Sequence, residues 1–132
     1  MLKKVINHIN QLISRKFKNC PMCNAKWQTR GDFLADHNLT VTGYMANFDR
    51  LELGIFLLDH MTCGTTLAIK ASRFLDLYDG PVFTNRMTGT GTCPGYCLDK
   101  SELRPCTEEC ECAYVRQVLN RIINWGKMGE EL

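Results

Sequence analysis

Five of the chain's eight cysteines fall between Cys93 and Cys112, in the run Cys-Pro-Gly-Tyr-Cys-Leu-Asp-Lys-Ser-Glu-Leu-Arg-Pro-Cys-Thr-Glu-Glu-Cys-Glu-Cys. Packing alone does not call for such crowding. The patterns Cys93-x3-Cys97 and Cys106-x3-Cys110-x-Cys112 are bracketed by Pro94, Gly95 and Pro105. These residues turn the backbone and let thiols from separate turns converge on one point. The stretch therefore points to metal or redox chemistry at cysteine.

A chain of 132 residues with 45% hydrophobic content is enough for one domain with one core. It is read as a single cysteine-rich domain over residues 1–132. No run approaches the roughly 18 apolar residues of a membrane span. Met1 to His8 alternates charge and apolarity, where a secretory leader needs an unbroken apolar block. The expected location is the cytoplasm, whose reducing conditions leave thiolates available for metal; an even count of eight would otherwise suit four disulfides in a secreted chain.

The net charge of +2 is unevenly spread. Residues 1–31 carry Lys3, Lys4, Arg15, Lys16, Lys18, Lys26 and Arg30 with no Asp or Glu, a charge of +7 that leaves −5 on the remainder. A solvated helix face docking on an acidic body accounts for this, and so does a surface for an anionic partner. Phe17 and Trp27 are the aromatics of this stretch, thin support for base stacking, so a protein partner is expected ahead of nucleic acid.

Along the chain, Leu2, Val5, Ile6, Ile9, Leu12, Ile13 and Phe17 recur at spacings of three and four and predict an amphipathic helix over residues 1–18. Phe33 to Asp36 reads as a short helical turn or loop. Residues 39–48 and 51–58 read as strands, the run Ile55 to Leu58 being apolar on both faces and so central in a sheet. Residues 65–69 return as the next strand, which makes His60-Met61-Thr62-Cys63-Gly64 the tip of a β-hairpin. Ala71, Phe74, Leu75 and Tyr78 predict a short helix stopped by Asp79-Gly80-Pro81, and residues 84–92 read as a loop. Thr107 reads as the N-cap of a last helix whose apolar stripe is Val115, Val118, Leu119, Ile122, Ile123 and Trp125. That helix is expected to begin among the last cysteines and to pack on the first.

Cys20-Pro21-Met22-Cys23 admits three readings: a metal knuckle, a redox pair of the thioredoxin type, or independent thiols. A redox pair sits between a strand and a helix N-terminus, which lowers the first thiol's pKa. Here a cationic amphipathic segment precedes the motif and no βαβ pattern surrounds it, which favours the knuckle. A His-x2-Cys pair followed by glycine at a hairpin tip, with Cys20-x2-Cys23 as its counterpart, resembles a zinc-ribbon or rubredoxin-type knuckle. The resemblance covers these two short patches, with 36 residues between them. It implies a site of Cys20, Cys23, His60 and Cys63. His60 also fits an ordinary polar residue at a strand end, in which case a fourth ligand would come from the C-terminal group.

Eight cysteines plus His60 give nine candidates for two four-ligand sites. The division expected is Cys20, Cys23, His60 and Cys63 for one, and Cys93, Cys97 and Cys106 with Cys110 or Cys112 for the other. Zinc is the expected occupant, as one or two ions, because four-coordinate thiolate and imidazole sites suit it and a bound ion would pin polar loops. An iron–sulfur cluster is the alternative, although Cys93-x3-Cys97 does not match the ferredoxin runs. No phosphate-binding loop, Gly-x-Ser-x-Gly or His-Glu-x2-His pattern occurs, and no catalytic residue is assigned. The expectation is an α+β fold, a small antiparallel sheet flanked by N- and C-terminal helices and stapled by metal, serving as a zinc-binding interaction module with a basic N-terminal face. The rival is an electron-transfer or redox-sensing protein.

Overall fold

A computed structural model describes residues 16–127. Most of the helix expected over residues 1–18 lies outside the described residues, as does its packing against the last helix. Phe17 sits at a bend, and Lys18 opens the first strand. The described residues divide into two compact units, 16–37 with 126–127, and Asn38–Trp125.

In the smaller unit, β1 (Lys18–Asn19) pairs antiparallel with β2 (Lys26–Trp27), and α1 (Arg30–Ala35) follows. The Thr29 hydroxyl caps α1 by accepting from the Asp32 amide at 3.0 Å, which satisfies an amide the helix itself leaves unpaired. Trp27, Phe33 and Leu34 form the apolar centre. The Trp27 and Phe33 rings meet edge to face at 5.2 Å, and the indole Nε1 donates to Asp36 Oδ2 at 2.8 Å, so a buried ring keeps a partner for its polar edge.

The larger unit is built on a three-stranded antiparallel meander, β3 (Leu39–Met45), β4 (Ile55–His60) and β5 (Thr65–Lys70), in that spatial order. β4 lies in the centre, as its apolar run predicts. Its burial alternates, with Phe56, Leu58 and His60 inside. The period of two that buries Phe56 and Leu58 therefore carries His60 onto the same face. Phe56 packs against Tyr44 at 5.5 Å and Phe74 at 6.0 Å between centroids. The register of β3 on β4 shifts between Val41 and Gly43, a bulge. α2 (Ala113–Ile123) closes the unit and buries Val115, Val118, Leu119 and Ile122.

Several boundaries depart from the sequence reading, among them the end of β3, at Met45 instead of Phe48. Residues 51–53 form a 3-10 turn ahead of β4 instead of opening the strand. The helix expected from Ala71 to Tyr78 is two 3-10 turns, Ala71–Arg73 and Leu75–Leu77, interrupted at Phe74. Phe74 is fully buried with φ −132° and ψ 0°, outside the α-helical region, and this breaks the run into two short turns. The last helix starts at Ala113, not near Thr107, so Cys106 and Cys110 precede it and Cys112 stands at its N-cap. Among the described residues no helix is long and apolar enough to cross a membrane.

Candidate metal centre

Cys20 and Cys23 occupy the turn between β1 and β2. The Cys20 amide donates to the Ala25 carbonyl at 2.7 Å, the Asn24 amide donates back to the Cys20 carbonyl at 3.0 Å, and Asn24 takes a left-handed φ of 63°. The turn between β4 and β5 repeats this plan. The amides of Cys63 and Gly64 donate to the His60 carbonyl at 3.2 and 2.7 Å, and Gly64 has φ 77°. In both turns the residue after the second ligand is one that tolerates positive φ, asparagine in one and glycine in the other. A ligand pair three residues apart is thereby folded onto one side of its turn.

The ligand atoms of Cys20, Cys23, His60 and Cys63 all lie within 4.8 Å of one another, a group able to hold a metal ion. Tetrahedral zinc with Zn–S bonds of about 2.3 Å spaces its sulfurs roughly 3.8 Å apart, so the four donors stand close to the separation an ion requires. Cys20 and His60 are buried, Cys63 is half-buried and Cys23 is exposed. Cys63 Sγ lies 3.4 Å from His60 Nδ1. His60 is thus placed with the three cysteines, as the resemblance to a metal knuckle implies.

The other five cysteines line a single small cavity, with about 10 Å³ of room. That is space for roughly one water-sized body. Cys106, Cys110 and Cys112 are buried, Cys93 and Cys97 half-buried, and all five thiols are free. Backbone amides point at two of the sulfurs. Cys110 Sγ accepts from the amides of Met87 at 3.2 Å and Cys112 at 3.5 Å, and Cys93 Sγ accepts from Gly95 at 3.4 Å. Thr88 Oγ1 lies 3.6 Å from Cys112 Sγ. Cys110 and Cys112 do not sit two apart on a helix, so nothing in the backbone forces their side chains to diverge. Among the described residues, no second group of three donors converges as closely as the first.

Sequence reasoning did not find Arg116, which is fully buried on α2 beside this cavity. Its Nε donates to the Arg104 carbonyl at 2.7 Å, one terminal nitrogen donates to the Glu102 carbonyl, and the other approaches Cys97 Sγ at 3.9 Å. The guanidinium also lies 5.6 and 5.5 Å from the ring centroids of Tyr44 and Tyr96. None of the ion pairs among the described residues includes it. A signal was present in the sequence: Arg116 falls three residues before Leu119 and four after Cys112, on the apolar face.

The electrostatics of the cavity follow from these contacts. A hydrogen bond from Cys112 is the largest influence drawing the Cys97 thiol down to about 7, and the Arg116 charge adds to it. The same bond, with burial, pushes the Cys112 thiol up. Burial pushes the Tyr44 phenol up, and the Cys97 and Cys112 thiols reinforce this. The Tyr44 hydroxyl is buried without a hydrogen-bond partner. Comparison with protein families, with curated proteins and with solved structures found no match for this chain.

Proposed function

We propose that this protein is a zinc-binding structural module, in which Cys20, Cys23, His60 and Cys63 hold one ion in a closed four-ligand shell. The observation that carries the reading is the gathering of four donor atoms, from turns 36 residues apart in the chain, within 4.8 Å of one another. Three sulfurs and one imidazole are a donor set suited to tetrahedral zinc. A shell filled by four protein ligands leaves no position for a substrate or an activated water, so the ion's work is to hold backbone segments in place and not to catalyse. Each coordinating thiol releases its proton to solvent, and acidification reverses the binding. The basic stretch over residues 1–31 is, in this reading, the surface that docks a protein partner.

Elemental analysis of protein purified without oxygen tests the metal. The expected product is colourless and contains zinc, and His60→Ala or paired Cys20→Ser and Cys23→Ser replacement removes one equivalent. Metal content unchanged by these replacements would overturn the reading, and a brown protein with iron and visible absorption would replace it with an iron–sulfur centre.

A further inference from the structure

We propose that the cavity lined by Cys93, Cys97, Cys106, Cys110 and Cys112 is a second divalent-metal site, a tetrathiolate formed by four of these five residues, whose negative charge Arg116 is buried to balance. Three independent observations converge on it. The first is the chain path. Between the end of β5 at Lys70 and the start of α2 at Ala113 there is no strand and no α-helix, only short 3-10 turns. A stretch this long without regular structure lacks the ladder that would fix it, and a cross-link through side chains supplies what the ladder does not.

The second observation is the direction of the amides. Met87, Gly95 and Cys112 all turn their N–H groups toward cysteine sulfurs. A neutral thiol is a weak acceptor, whereas a thiolate bound to metal gains from every such donor, because each N–H offsets part of its charge.

The third observation is Arg116. A fully buried guanidinium needs a counter-charge, and carbonyls and aromatic faces supply only partial ones. A divalent ion bound by four thiolates carries a net charge of about −2, and Cys97, the sulfur nearest the guanidinium, would belong to that anion. The unpartnered Tyr44 hydroxyl, in the same surroundings as Cys97 and Cys112, is a further donor suited to sulfur. On binding, each of the four coordinating thiols loses a proton to solvent and no oxidation state changes.

This site is independent of the one formed by Cys20, Cys23, His60 and Cys63, and cobalt(II) alone separates the two. Titration of metal-free protein under anaerobic conditions is expected to saturate at two equivalents, one with the spectrum of three sulfurs and one nitrogen, the other with that of four sulfurs. The paired variant Cys97→Ser with Cys110→Ser is expected to fall from two equivalents to one and lose the four-sulfur spectrum. The Cys20→Ser, Cys23→Ser pair should keep that spectrum and lose the other. Saturation of the wild-type chain at one equivalent without a four-sulfur spectrum overturns the proposal even if the paired variant fails to fold. A mass lower by two hydrogens per pair of cysteines, with no second metal, overturns it in favour of disulfides.

Discussion

Cys20, Cys23, His60 and Cys63 stand on turns closed by backbone hydrogen bonds at 2.7 to 3.2 Å, each ending in a residue with positive φ. The five cysteines from Cys93 to Cys112 stand on a segment with a single 3-10 turn, Tyr96–Leu98, and contacts to elements far away in sequence. The first group can be positioned before an ion arrives, because short ladders dictate where its side chains point. The second rests on isolated turns, such as those closed by the Cys93 amide on Thr90 at 3.1 Å and the Ala113 amide on Cys110 at 3.0 Å, with no paired strands, and its sulfurs share a cavity without converging as tightly. If both groups hold ions as proposed, one ion would fasten turns that are already formed and the other would give shape to a loop.

Removing metal should affect the two groups of cysteines differently. Chelation is expected to lower amide protection across residues 79–112 by more than about 100-fold, because binding free energy at a structural site is folding free energy. The ladders of β3, β4 and β5 are expected to lose far less. Hydrogen exchange read by mass spectrometry checks this, and equal loss in both places would erase the distinction.

Arg116→Met comes next. If the neighbouring sulfurs are thiolates, losing the guanidinium leaves buried negative charge uncompensated, and unfolding in denaturant should show a loss of about 3 kcal/mol. If the sulfurs are neutral thiols, relief of a lone buried charge offsets the donors lost by the Glu102 and Arg104 carbonyls, and the net loss should be no more than about 1 kcal/mol.

Gly64→Ala sharpens the picture of the knuckle turn. A methyl group there meets nothing within 4 Å, so the cost is conformational alone and should be about 1 kcal/mol by thermal melting. Asn24→Gly at the corresponding position of the other turn should change stability by no more than about 0.5 kcal/mol, since asparagine already tolerates that backbone.

The smallest effect belongs to the loop surface. Arg104 hydrogen bonds hold the Glu102 carboxyl down at about 2. A depressed carboxylate favours the fold above its unfolded value near 4.5, and that contribution fades as pH falls toward 2. The pair is solvent-exposed and screened, so the signature is the titration itself. The Glu102 resonance in Arg104→Ala should titrate higher, toward the ordinary carboxylate range.

The hairpin that presents His60 and Cys63 was legible because strands announce themselves twice, by an apolar run and by a return strand after a turn. Residues 55–58 and 65–69 supplied both. The Cys20-x2-Cys23 spacing was legible as a knuckle for the same local reason. The strands that hold it, β1 and β2, are two residues each and too short to carry any periodicity. The start of α2 was misplaced because Thr107, Glu108 and Glu109 imitate a helix start, while the backbone there is engaged elsewhere. The Glu111 amide donates to the Asn85 carbonyl at 2.8 Å, and its carboxylate pairs with Arg86 at 2.6 Å. Arg116 was missed because charge predicts solvent, and the carbonyls of Glu102 and Arg104 that receive it are set by the loop's path and not by its neighbours on the helix.

β3 touches the cysteine-bearing stretch at its outer edge. Its Tyr44 amide donates to the carbonyl of Lys100 at 2.9 Å, and a side chain at Gly43 would lie 3.1 Å from that same carbonyl. The cysteine-bearing stretch thus meets the outer edge of β3 at Gly43 and Tyr44. Peeling that stretch away bares a strand to the pairing groups of any neighbouring molecule. If an ion holds that stretch, as proposed, metal-free protein should announce the loss by clumping, well before its central β-meander comes apart.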